Sequence, residues 1–130
     1  MSRSSPFHGR KRLGDSGEEI AARFLEKRGY RILERNYRTP VGELDIIALH
    51  RGTVVFVEVK ARTSGSYGAP ELAVHPAKQL KLIRAAQAYI IRKKIENRAC
   101  RFDVVTVRRQ DGRDLLDIIP NAFDLGDRFS

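Results

Sequence analysis

Three residues within 42–62, GELDIIALHRGTVVFVEVKAR, are of types that can do chemistry together: Asp45, Glu58 and Lys60. Two carboxylates held at one point repel each other unless a hard cation lies between them. Magnesium suits such a pair, because it takes one or two carboxylates and fills the rest of its shell with water. A lysine beside the ion can orient a water or offset the charge that develops on a phosphate during hydrolysis. Glu58 and Lys60 are two residues apart on a β-branched, apolar stretch, so they share one face of a strand, about 6.6–6.8 Å apart. Asp45 interrupts the apolar run that precedes them. The tight reversal at Arg51-Gly52 makes the two stretches antiparallel neighbours and sets Asp45 and Glu58 at similar heights, far from the turn. An ordinary ion pair of Lys60 with either acid would account for one carboxylate; two carboxylates and a lysine on adjacent buried strands point to a site.

The elements that must position these residues are legible as patterns. A helix is predicted to start near Asp15 or Ser16 and to stop at Gly29. Its buried face carries Ala21, Ala22 and Leu25, and Glu18 borders that face while Glu19 turns to water. Glu18 either reaches inward as a third acid or serves the helix dipole. Strands follow over 30–37, 44–49 and 54–61. The last is apolar on both faces until Glu58, the mark of a central strand. Residues 63–70 read as a Gly- and Ser-rich loop. A long helix is expected over 76–97, with Pro76 in its first turn. Gln79 falls inside its apolar stripe of Leu82, Ile83, Ala86 and Ile90, where an amide needs a partner, either the site or a loop carbonyl. Lys78, Lys81, Arg84 and Arg92 flank that stripe, solvated or tracking a phosphate backbone. Strands over 101–107 and 115–119 complete an α-β-β-β-α-β order with no internal repeat. The division expected is a flexible basic arm at 1–13, one α/β domain at 14–120 and a tail at 121–130. The acids near the C-terminal end, Asp111 to Asp127, are assigned no chemistry.

Whole-chain properties narrow the partner. The 130 residues carry 25 lysines and arginines against 16 acids, a formal charge of +9, which favours a polyanion, most commonly nucleic acid. With 42% hydrophobic and 32% charged residues the chain has the composition of a globular domain. No apolar run approaches the roughly 20 residues that span a bilayer, so no membrane partner is expected. The basic start lacks the apolar stretch of a secretory signal. A single cysteine, Cys100, excludes an internal disulfide and makes the cytoplasm the default location. His8, His50 and His75 are scattered, with no zinc-type spacing.

The segments GEEIA (17–21), GELDIIA (42–48), VFVEVKAR (55–62) and CRFDVVTV (100–107) resemble the YraN family of small bacterial proteins. The resemblance covers 14–107. The family is similar to the PD-(D/E)XK nuclease superfamily, near the archaeal Holliday-junction resolvases, which implies a restriction-endonuclease-like core with a mixed central sheet flanked by helices. By position Asp45 matches the motif aspartate, Glu58 and Lys60 the E-x-K element, and Glu18 the helical glutamate of the resolvases. Gln79 is loosely similar to a glutamine after the E-x-K strand, and Leu44 stands where the motif has proline. The resemblance implies an endonuclease acting on DNA, including branched DNA, using Mg2+ or Mn2+ held by Asp45, Glu58 and Glu18. Arg62, Lys78, Lys81, Arg84 and the arm residues Arg10, Lys11 and Arg12 would meet phosphates, and a two-fold homodimer would cut paired strands symmetrically. The other readings are a catalytically inactive nucleic-acid-binding module of the same fold and an RNA- or ribosome-associated factor.

Overall fold

A computed structural model describes residues 13–62 and 75–123, with side chains described for 17–61 and 75–123. The elements run in the order α1 (Leu13–Lys27), β1 (Arg31–Thr39), β2 (Gly42–His50), β3 (Thr53–Arg62), α2 (Pro76–Lys93), β4 (Cys100–Gln110) and β5 (Arg113–Phe123). The five strands form one sheet in sequence order, antiparallel except for the parallel pair β3–β4. This is the α/β architecture with a mixed sheet that the sequence predicts. The expected basic arm and the loop at 63–70 lie outside the described residues.

Parallel strands cannot be joined by a hairpin, so the chain crosses over between β3 and β4 through α2. One face of the sheet packs α2: Ile47, Val54, Phe56, Phe102 and Val104 meet Leu82, Ala86, Tyr89 and Ile90. The other packs α1: Ile46, Ala48, Val55, Val57 and Val105 meet Ala21, Ala22 and Leu25. β3 is buried on both faces from Val54 to Val57, which its unbroken apolar run required. Among the described residues no helix is long and apolar enough to cross a membrane.

The strands run one to four residues beyond most of their expected ends, and three boundaries differ for a physical reason. α1 is helical from Leu13, so Asp15 and Ser16 fall inside its first turn rather than capping it. An acid there still meets the positive end of the helix dipole. α2 stops at Lys93 rather than Asn97, because Lys94 turns left-handed (φ 59°) and Ile95 folds back onto the α2-side core. The backbone N–H groups of Lys94 and Ile95 donate to the carbonyls of Ile91 and Ile90. β5 runs on to Phe123, past Pro120, which an edge strand tolerates because no further strand needs its missing N–H. Phe123 stacks on Phe102 at 4.4 Å.

A buried polar cluster ties the α1 side of the sheet together. Asp103, fully buried in β4, sits where the β4–β5 register shifts and accepts the backbone N–H of Asn121 at 2.9 Å. Its other partners are the Tyr30 hydroxyl, which donates at 2.9 Å, and Arg101, which donates from both Nε and Nη2. Tyr30 stacks on His50 with ring centroids 4.1 Å apart. Every oxygen of Asp103 is thus satisfied, the condition under which a buried charge is tolerated. Tyr30→Phe is expected to destabilise the protein by about 1.5–3 kcal/mol, the range for hydrogen bonds to charged groups. Asp103→Ala should cost about 3–5 kcal/mol, because it strands Arg101 and Tyr30. Urea unfolding measures both; changes within the scatter of surface substitutions would show that the cluster is not a brace.

Candidate functional site

β2 and β3 pair from the His50–Thr53 turn only as far as Ile46 opposite Val57. Beyond that the strands part, and the Val59 N–H that would otherwise lack a partner donates instead to the Asp45 carboxylate at 2.9 Å. The pairing of β1 with β2 skips the same place: Asn36, with a left-handed φ of 52°, lies across from Asp45. Asp45 therefore occupies an interruption on both sides of its strand. The gap opens into a cleft of about 470 Å³ beneath the start of α2, lined by Gly42, Glu43, Asp45, Glu58, Lys78 and Lys81, among others.

Glu58 projects from the α2 side of β3, following Val54 and Phe56, and is 4% exposed. Asp45 lines the same cleft and lies close enough to Glu58 for its charge to act on it, so the two acids that the sequence sets at one height do meet. Burial first, and then the Glu58 charge, raise Asp45 from the ordinary 3.8 to about 8; the Val59 N–H works against this and the Glu18 charge adds to it. Glu18, half-buried in α1, is thus close enough for its field to reach the pair.

The cation on the pair is not the expected one. Lys78, in the first turn of α2, forms an ion pair with Glu58 at 2.5 Å. Burial pulls its ammonium down, but the Glu58 hydrogen bond and the charges of Glu58 and Asp45 outweigh this and hold Lys78 above the usual lysine value. Lys60, two residues along β3 and partly exposed, makes no ion pair among the described residues. The cross-strand pair of Lys60 with Asp45 or Glu58, the ordinary alternative to a site, is therefore not what forms. Lys81 also lines the cleft and Arg84 lies exposed on α2. Gln79 is half-buried in the first turn of α2, where its side chain is engaged but does not line the cleft. The side chain of Arg62 and the arm residues Arg10, Lys11 and Arg12 lie outside the described residues.

Among the described residues no group of three or more His, Cys, Asp or Glu side chains closes around a common point. The donors that do converge, a carboxyl and a carboxylate beside open cleft volume, fit a hard ion that keeps several waters. The elevated proton affinity of Asp45 marks an electrostatic strain that such an ion would relieve.

The model of "Uncharacterised protein family UPF0102" matches residues 17–107. The chain belongs to UPF0102, the YraN family. UPF0102 proteins from Syntrophotalea carbinolica, Trichlorobacter lovleyi and Desulfosudis oleivorans are 48%, 49% and 50% identical over 113, 119 and 115 residues. Those alignments cover 87%, 90% and 88% of this chain and 92%, 94% and 92% of the relatives. Among solved structures the chain is similar to Pyrococcus furiosus SfsA in complex with Ca2+, with a TM-score of 0.35 and 16% identity, over 82% of this chain. It spans 60% of that protein's length. The UPF0102 match takes in Glu18, Asp45, Glu58, Lys60, Lys78 and Gln79 and leaves the basic arm outside.

The Asp45 shift sets a sign for stability against pH. Its carboxyl holds a proton more tightly folded than unfolded, so its contribution is fully present below pH 3.8 and is lost as pH rises through about 8. Asp45→Asn keeps an acceptor for the Val59 N–H and a donor to Glu58 without the charge. The variant is expected to be more stable than the metal-free wild type at pH 9, by on the order of a few kcal/mol. Melting temperatures across pH 4–9 decide it; parallel profiles would mean that Asp45 ionises normally.

Proposed function

We propose that the cleft is the hydrolytic site of a divalent-metal-dependent endonuclease acting on DNA, with branched DNA as its substrate class. The observation that carries this reading is the meeting of Asp45 and Glu58 at the end of a buried central strand, in an open cleft flanked by lysines. The formal charge of +9 supports a polyanionic substrate. Asp45, Glu58 and the main-chain carbonyl of Val59 would hold Mg2+ or Mn2+, with Glu18 serving a second position or ordering a water. The ion would polarise the scissile phosphate and lower the pKa of a bound water. Lys60 would orient that water or offset charge on the phosphate. Lys81 and Arg84 line the approach along α2 and would take neighbouring phosphates, and Gln79 would steady the first turn of that helix. A two-fold dimer would bring two such clefts to one junction.

One observation favours a second reading, a nucleic-acid-binding module without chemistry. The Lys78–Glu58 ion pair together with a protonated Asp45 is a network that compensates itself. Such a network needs no ion, and magnesium would then leave the melting temperature unchanged.

The test is cleavage of four-way junction, flap, duplex and single-stranded DNA in Mg2+ or Mn2+. Asp45→Ala and Glu58→Ala are each expected to lower cleavage by more than about a hundredfold while leaving metal-free DNA binding in place. Cleavage that survives both substitutions would place the chemistry elsewhere.

A further inference from the structure

Glu58 and Lys78 form an unequal pair. The Glu58 side chain is 4% exposed and fixed on a central strand, whereas that of Lys78 is 47% exposed and hangs from the first turn of a helix. Of the two, only the lysine can leave. Its flexible four-carbon stem lets the ammonium swing into the cleft without disturbing the backbone. Lys81, one turn further on and also lining the cleft, lies on the same helical face, so the swing ends beside a second cation. No acid occupies the first turn of α2 to hold Lys78 elsewhere.

We propose that Lys78 is the built-in counter-ion of this site: its ammonium occupies Glu58 until a divalent cation displaces it, and it then binds a substrate phosphate in the same cleft. The proposal rests on reading the cleft as a divalent-metal site. A single ammonium pairs closely with Glu58 alone, while a divalent ion can bond both Glu58 and Asp45, so the ion wins the shared position once its concentration is sufficient. Lys78 is in this sense a positioning residue. It keeps the buried Glu58 compatible with folding beside Asp45 in the absence of metal and sets the threshold concentration at which metal enters.

The test is the affinity of the DNA-free protein for Mn2+ by calorimetry, in wild type and in Lys78→Met, Lys78→Gln, Lys78→Arg and Lys27→Met. Removing the competing charge is expected to tighten Mn2+ binding about tenfold or more in K78M and K78Q. K78R should restore the wild-type affinity, and K27M, at an exposed lysine in the last turn of α1, should leave it within about twofold of wild type. The metal-free melting temperature should fall in K78M and K78Q and recover on adding Mn2+. Should only one of these two variants fold, that one decides. Wild type that binds Mn2+ while the neutral variants bind it no tighter would overturn the counter-ion and leave the metal site standing. Wild type that binds no Mn2+ at all would overturn both.

Discussion

The parting of β2 from β3 after Ile46 and Val57 is the constraint on which the site depends. Where an antiparallel ladder ends inside a protein, the next backbone N–H must find another acceptor. Here the Asp45 carboxylate accepts the Val59 N–H, and the same bond fixes that carboxylate against Glu58. Sheet topology does the rest. Because β3 and β4 are parallel, the chain must cross over between them, and the crossover helix begins above the open end of β3. Lys78 reaches Glu58 and Lys81 lines the same cleft for that reason, although they lie some twenty residues downstream.

A comparison within the sheet separates a brace from a site. Asp45 and Asp103 both interrupt apolar strands, both sit at a lapse in strand pairing, and both accept a backbone N–H from a neighbouring strand. Asp103 then gathers Tyr30 and Arg101 and is fully compensated. Asp45 instead meets a second carboxylate and opens onto a cleft. One arrangement is compensated by fixed neighbours; the other relies on the proton held by Asp45 and on the Lys78 ammonium at Glu58. Strain of this kind is characteristic of functional positions, where fold stability and chemistry ask for different neighbours.

Much of this was legible in the sequence, for identifiable reasons. The alternation around Asp45 and Glu58, the turn at Arg51-Gly52 and the unbroken run from Val54 to Val57 determine the β2–β3 pairing, the central place of β3 and the meeting of the two acids. The 3.6-residue stripe through Leu82, Ile83, Ala86 and Ile90 determined which face of α2 is buried. The partner of Glu58 was not legible. Lys60 is its neighbour along the strand, but the choice of Lys78 depends on where the first turn of α2 rests on the sheet, which no local pattern encodes. The end of α2 was misplaced for a related reason, since Ile95 packs back onto the core and Lys94 must turn to allow it. The Asp103 cluster carried a usable signal, because F-D-V-V-T-V breaks an apolar strand just as L-D-I-I does. Arg101 lies two residues before Asp103 on the same strand, but Tyr30 and His50 come from two other places in the chain and could not be assembled from spacing.

In the proposed site Asp45 and Glu58 would bind one divalent ion between them. A crystal soaked in Mn2+ and measured at the manganese absorption edge tests it most directly. The account expects an anomalous peak within bonding distance of both carboxylates, with the Lys78 ammonium withdrawn from Glu58. A map without manganese at that point, with Lys78 still paired to Glu58, would contradict it.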